Sequence, residues 1–329
     1  MATANVSANS PITWQTILEA HDRIRPRIHR TPVLTSESIN SLSDADIFFK
    51  CENLQKTGSF KIRGASNAIF SLSDDEARHG VVTHSSGNHG AAIACAARWR
   101  GIRASIVMPK NAPAVKSRAV ESYGGKITYC EPNVTSRSEL AARVLAETGG
   151  VMIHPYDDDR IVAGQSTAAK ELLEDFPDLD VVLSPVSGGG LLSGTCLGAK
   201  GTKPGVRVFG CEPERADDAY RSFTSGKLQS LETSDTIADG LRASLAPRTF
   251  AILQKNLDGI LLVSEEEIVA AMKLLWERMK IVVEPSSAVA LAPLLRAGEL
   301  RKMGFKEVAS KTKPKIGVIL SGGNVELKW

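Results

Sequence analysis

The chain has 329 residues, 43% of them apolar and 23% charged, and its 40 basic and 37 acidic side chains leave a net charge of +3. That length suffices for a large core and two domains, and so even a charge balance gives no support to nucleic acid or a membrane surface as a partner. The cysteines Cys51, Cys95, Cys130, Cys196 and Cys211 contain no C-x-x-C pair, which argues against a disulfide framework or a structural zinc and for a reducing compartment. Residues 1–13 are polar and no apolar run has the length of a membrane span, so the expected location is cytoplasmic.

In chain order, Trp14, Ile17, Leu18 and Ile24 predict a helix that ends before Pro26. Strands are expected at 46–50, 80–84, 104–108, 126–130, 151–154, 181–184, 207–211, 259–263 and 315–321. Several are nearly continuous apolar runs, as parallel strands covered on both faces require. Helical patterns fall between them. The clearest spans 264–280, where Ser264 and Glu267 form a capping box and Ile268, Met272, Leu275 and Met279 share one face. This alternation predicts an α/β protein with parallel sheets. Lys302, Lys306, Lys311, Lys313 and Lys315 read as a solvated surface loop.

The stretch Thr57-Gly58-Ser59-Phe60-Lys61-Ile62-Arg63-Gly64-Ala65 places one lysine in a glycine-bounded turn that opens a helix. A solvated lysine needs no such setting. A lysine that forms a Schiff base with a flat aldehyde cofactor does, because its amine must be held partly desolvated. Phe60 offers a flat face for a ring, and Gly58 and Gly64 permit close approach. Lys56 and Arg63 read either as cations that depress the Lys61 pKa or as solvated charges.

Ser187-Gly188-Gly189-Gly190-Leu191 bridges a strand and a helix, where unshielded amides bind an anion. Ser193 stands where G-x-G-x-x-G needs its third glycine, so the loop fits a phosphate monoester better than a pyrophosphate. His84-Ser85-Ser86-Gly87-Asn88-His89-Gly90 also follows a strand and suits a substrate carboxylate. Asn88 offers an amide to a phenolate-like oxygen, while His84 and His89 each read as structural. Ser321-Gly322-Gly323-Asn324 follows the last strand, at the edge where open α/β sheets bind ligands. All four segments agree on pyridoxal 5′-phosphate (PLP).

On these motifs the chain, from about Trp14 to Leu327, resembles the fold-type II PLP enzymes, and within them the serine racemase and serine/threonine dehydratase family. The resemblance implies a tryptophan synthase β-like fold of two three-layer αβα domains. The smaller, 77–155, is inserted in a larger one built from 1–76 and 156–329. It makes Lys61 the Schiff-base lysine and puts Phe60 on the cofactor ring, Asn88 at the 3′ oxygen and Ser321 at the pyridine nitrogen. Ser187, Gly188, Gly189, Gly190 and Leu191 surround the phosphate, with Gly240 beside the cofactor.

By the same resemblance Ser86 is the acid/base facing Lys61 across the ring, with Ser85, Asn88 and His89 beside it on the substrate. Arg137 either selects a second carboxylate, as in a 3-hydroxyaspartate, or is a surface arginine. Glu212, the Ala216 carbonyl and Asp218 resemble a site for Mg²⁺, Ca²⁺ or Mn²⁺, although their spacing alone is a weak signal. The implied activity is racemisation of serine, with β-elimination of serine or a related β-hydroxy amino acid to a keto acid and ammonia. A dedicated threonine or threo-3-hydroxyaspartate ammonia-lyase is the alternative, and Ala243, where animal racemases carry serine, keeps it open. A homodimer is implied, ATP is left open as an activator, and no C-terminal regulatory domain is expected after Asn324. The competing class is an α/β module that only binds a nucleotide or amino acid, with no role for Lys61.

Overall fold

The computed structural model describes residues 12–85, 87–231, 234–305 and 313–326, without the side chain of Val134. Ser86, Lys306 and Lys311 lie outside the described residues. Within them the strands are β1 (Val33–Leu34), β2 (Asp46–Cys51), β3 (Val81–His84), β4 (Ala104–Pro109), β5 (Lys126–Cys130), β6 (Val151–Met152), β7 (Val181–Pro185), β8 (Arg207–Pro213), β9 (Gly259–Val263) and β10 (Lys315–Leu320). They form a six-stranded sheet in the order β1-β2-β10-β7-β8-β9 and a four-stranded sheet in the order β5-β4-β3-β6. Every pairing is parallel except β1 with β2.

All nine expected strands are present, with ends moved by a few residues. The short edge strand β1 was not expected, because two residues carry no periodicity. Both sheets are covered on both faces, which explains their apolar runs. In the smaller sheet Val81 and Ile106 pack with Ile93 of the helix Asn88–Arg100, and Val82 and Val107 with Ala141 and Val144 of the helix Val134–Thr148. In the larger sheet Ile47, Phe49, Leu183 and Val318 pack with Ile268 and Leu275, and Val182, Val208 and Ile319 with Leu172, Leu192 and Leu253. The four strands of the smaller sheet fall within 77–155. Its core also takes in Ile62, Ala65 and Ile69 of the helix Lys61–Phe70.

Thr13 caps the helix Trp14–Ile24, and Ser264 and Glu267 make the expected capping box on the helix Glu265–Leu274. That helix does not continue as a regular α-helix to Lys280. It widens into a π-helix over Leu275–Met279 and closes at Lys280 with φ 58°. The Trp276 indole there donates to the Val283 carbonyl at 3.0 Å, a non-local bond that sequence periodicity does not report. Parallel pairing carries the C-terminal ends of β7 and β10 to one edge of the larger sheet, so Ser187 and Ser321 emerge side by side.

Candidate active site

Lys61 is the first residue of its helix, after a turn in which Thr57 (φ 64°) and Gly58 (φ 70°) are both left-handed. The end of β10 holds that turn in place. Phe60 N–H donates to Ser321 O at 3.0 Å, Gly323 N–H to Gly58 O at 2.9 Å, and Asn324 Nδ2 to Thr57 O at 2.8 Å. Position 58 favours glycine, because its φ is left-handed and a Cβ would press on the Asn324 side chain. The Lys61 amine donates to Pro155 O at 3.2 Å and lies 5.1 Å from the centre of the Phe60 ring. Burial lowers its pKa to about 8, with Glu284 opposing the shift.

The cation reading of its neighbours is not what the structure shows. Neither Lys56 nor Arg63 is a cause of the Lys61 shift. Arg63 is not solvated either: it is fully buried, with Nε 2.7 Å from Glu52 Oε2 and Nη2 2.8 Å from Glu171 Oε2. Lys56 sits 5.2 Å from the centre of the Trp99 ring.

The glycine loop enters the helix Gly190–Thr202 through Gly189 at φ 88°. A Cβ on Gly188 would lie 2.5 Å from the Tyr156 ring, and one on Gly189 2.6 Å from Thr249 Cβ. Thr249 Oγ1 donates to Gly188 O at 2.9 Å, while Ser187 Oγ donates to Ala243 O and accepts from Ala243 N–H, both at 3.0 Å. Its three glycines put no side chain over the backbone, and the loop presents the unsatisfied first N–H groups of a helix. This is the setting a phosphate monoester requires.

One cavity of about 200 Å³ joins that loop to Lys61. Its lining includes Phe60, Lys61, Ser85, Asn88, His89, Arg137, Ser187, Gly188, Gly189, Gly190, Leu191, Gly240 and Ser321. Every described residue expected at the cofactor or substrate is thus brought to one place. Gly240 N–H donates to Ser286 Oγ at 2.9 Å. The Arg137 Nε is buried without a hydrogen-bond partner among the described residues. His84 and His154 stand edge to face at 5.2 Å, and burial lowers both pKa values to about 4. Burial, and then the Lys61 charge, hold His89 well below its ordinary value. These imidazoles are neutral at neutral pH.

Several other lining residues carried no motif. Tyr156 walls the glycine loop, and Lys116 pairs with Asp239 across the cavity. Glu284, 3% exposed, accepts from Asn88 Nδ2 at 2.8 Å. Its only sequence signal is a lone carboxylate closing the apolar run Ile281–Val283 before Pro285.

Glu212, Ala216 and Asp218 form a separate, buried cluster outside this cavity. Glu212 caps the helix Asp218–Ser225, accepting from Ala219 N–H at 3.0 Å and Tyr220 N–H at 2.7 Å. Burial raises its pKa well above the ordinary value and that of Asp218 to about 6. Among the described residues no lysine or arginine makes an ion pair with either carboxylate, and no group of three or more His, Cys, Asp or Glu side chains is placed to hold a metal. Two carboxylates that lack a cation, together with a carbonyl, suit a hard divalent ion that keeps water.

The sequence profile of the pyridoxal-phosphate dependent enzymes matches residues 24–309. The chain belongs to that family. Its cofactor is PLP, and Lys61 and the glycine loop offer an amine and an anion site in a single cavity to hold it. A serine racemase of Arabidopsis thaliana is 51% identical over 94% of this chain and 92% of its own. The β-hydroxyaspartate dehydratase of Paracoccus denitrificans is 49% identical over 96% of this chain and 97% of its own. The structure of maize serine racemase superposes with a TM-score of 0.92 at 46% identity, covering 97% of this chain and 95% of that one. The fold is accordingly that of the fold-type II PLP enzymes. No described helix is long and apolar enough to cross a membrane.

Proposed function

We propose that this enzyme interconverts L- and D-serine and also dehydrates serine or a related β-hydroxy amino acid, the released enamine taking water back to leave a keto acid and ammonia. The observation that carries the reading is the shared cavity of the Lys61 amine and the glycine loop, in a chain 51% identical to a serine racemase. Lys61 would hold the aldehyde carbon of the cofactor, Ser187 to Leu191 its phosphate, Asn88 its ring oxygen and Ser321 its ring nitrogen, with Phe60 and Gly240 against it. When bound, PLP supplies an electron sink that makes the Cα proton of an attached amino acid acidic.

Lys61, with its pKa lowered to about 8, is matched to removing that proton near neutral pH. Ser86 returns a proton from the other side in racemisation, and Ser85, Asn88 and His89 orient the substrate. Ser321 is a hydroxyl, so it can bond a neutral ring nitrogen without protonating it. If the β-hydroxyl departs before reprotonation, the released enamine takes up water and gives a keto acid and ammonia.

A second reading, a threo-3-hydroxyaspartate ammonia-lyase, draws on the partnerless Arg137 Nε, on Ala243 and on the 49%-identical dehydratase. One experiment separates the two: the products from L-serine, D-serine, L-threonine and both threo-3-hydroxyaspartates. D-serine formed from L-serine is the expected result. Ser86→Ala should lower racemisation by about 10²-fold or more and leave part of the elimination from L-serine. Equal loss of both reactions removes Ser86 from this role. No D-serine, with fast loss of hydroxyaspartate, selects the lyase.

The same reading extends to a divalent cation at Glu212, Ala216 and Asp218, to a homodimer, to a cytoplasmic location and to ATP as an activator. It also makes 77–155 a small domain that closes over the substrate. The cation reading is supported by the buried Glu212 and Asp218 carboxylates, which make no ion pair with a lysine or arginine among the described residues. Chelation should lower the Tm of the holoenzyme and Mg²⁺ should restore it, by about 3 kcal/mol of stability at a hundredfold excess over Kd. An unchanged melting curve removes the site.

A further inference from the structure

Asn88 is held by two neighbours. Its Oδ1 accepts from Asn324 Nδ2 at 3.0 Å, and its Nδ2 donates to Glu284 Oε1 at 2.8 Å. An amide has two N–H donors, so one remains, and Asn88 lines the cavity together with Lys61. The reverse orientation would set the Asn88 oxygen against a carboxylate and its NH₂ against the NH₂ of Asn324. The two neighbours therefore select which end of the amide is free.

Glu284 is built in for this contact. Its backbone N–H donates to Gly322 O at 3.0 Å, and a Cβ on Gly322 would lie 2.4 Å from its Oε1. The first glycine of Ser321-Gly322-Gly323-Asn324 is thus explained by the space this carboxylate needs. The long ion pair with Lys116 involves the other oxygen, Oε2, and leaves Oε1 to Asn88. Lys116 bonds to Asp239, and its ammonium stands 3.8 Å from Glu284 Oε2, beyond hydrogen-bond reach. Oε2 has no hydrogen-bond partner among the described residues.

We infer that Glu284 is a positioning residue that acts through Asn88: with Asn324 it locks the Asn88 amide so that its one free N–H meets the cofactor's ring oxygen. This rests on the reading that Asn88 touches that oxygen. Burial raises the Glu284 pKa to about 7, with Lys116 opposing the rise and Asp239 adding to it. In either charge state Oε1 accepts from Asn88, because a proton, when present, sits on Oε2.

The test compares wild type, Asn88→Ala, Glu284→Ala, Glu284→Leu and Glu284→Gln, each stripped of cofactor and titrated with PLP. Melting of the cofactor-free proteins confirms folding, and Leu, close in volume to Glu, serves if the Ala variant does not fold. The readouts are the Kd for PLP and the ratio of its visible to near-ultraviolet bands, which reports the hydrogen bond to the ring oxygen. Glu284→Ala and Glu284→Leu should change that ratio in the same direction as Asn88→Ala and weaken Kd by about tenfold, the loss of one hydrogen bond. Glu284→Gln should stay near wild type, because its side-chain carbonyl accepts the same bond. A merely structural role would lower the melting temperature and leave the ratio unchanged. A changed ratio in Asn88→Ala with wild-type values in both Ala and Leu variants overturns the inference alone. A wild-type ratio in Asn88→Ala overturns it together with the reading of Asn88.

Discussion

Lys61→Ala should yield a folded protein with no covalently trappable cofactor and with racemisation and elimination both reduced by at least about 10³-fold. The Lys61 side chain makes one hydrogen bond, to Pro155 O, so its removal costs little stability. In the wild type, borohydride should fix PLP to the peptide that carries Lys61, as read by mass spectrometry. An adduct on any other lysine sinks the assignment. The pH dependence has a defined sign. Only the neutral amine attacks an aldehyde, and burial lowers the Lys61 pKa from 10.5 to about 8. The neutral fraction at pH 7 is then roughly 10²-fold that of an ordinary lysine. Capture of PLP by the cofactor-free protein should accelerate as pH rises and level off above about pH 8. Continued acceleration to pH 10 would show an unperturbed amine.

Arg63→Met should destabilise the protein by about 3–5 kcal/mol, the effect of leaving buried charges uncompensated. Arg63 Nη1 donates to Glu171 Oε1 at 2.9 Å and to Thr167 Oγ1 at 3.1 Å, and Nη2 to Glu52 Oε1 at 2.8 Å. Lys50 adds a bond to Glu171 Oε2 at 2.8 Å. Burial pushes the Glu171 carboxyl up, but Arg63, His21 and Lys50 together hold it far below the carboxylate range. A carboxylate so depressed stabilises the fold above its unfolded pKa, and this contribution fades as pH falls below about 4.5. Arg63→Lys should recover only part of the loss, because an ammonium cannot bridge two carboxylates with a planar fork. Urea midpoints at neutral pH measure both variants. A midpoint within error of wild type for Arg63→Met would mean that the cluster contributes nothing.

The strands were legible because burial on both faces leaves short runs rich in aliphatic residues, as at Val181–Pro185 and Lys315–Leu320. The glycine loop was legible because Gly188 and Gly189 meet a steric demand that local composition betrays. Arg63 misled, since nothing in Lys61-Ile62-Arg63 announces that Glu52 and Glu171 converge on it. Glu284 was silent for a similar reason. Its partner Asn88 is 196 positions away, and a single carboxylate after an apolar run has many ordinary explanations. The π-helix at Leu275–Met279 escaped because its α-helical periodicity holds up to the turn that departs from it.

The order of residues by itself determined the parallel α/β architecture, the lysine turn and the anion loop, because these follow from short-range backbone sterics and from the period of apolar side chains. Packing decided the rest. Which groups surround the amine, which end of Asn88 faces the cavity and which charges pair out of water all depend on segments far apart in the chain. Those contacts form only when two sheets and their connecting loops close on a common edge.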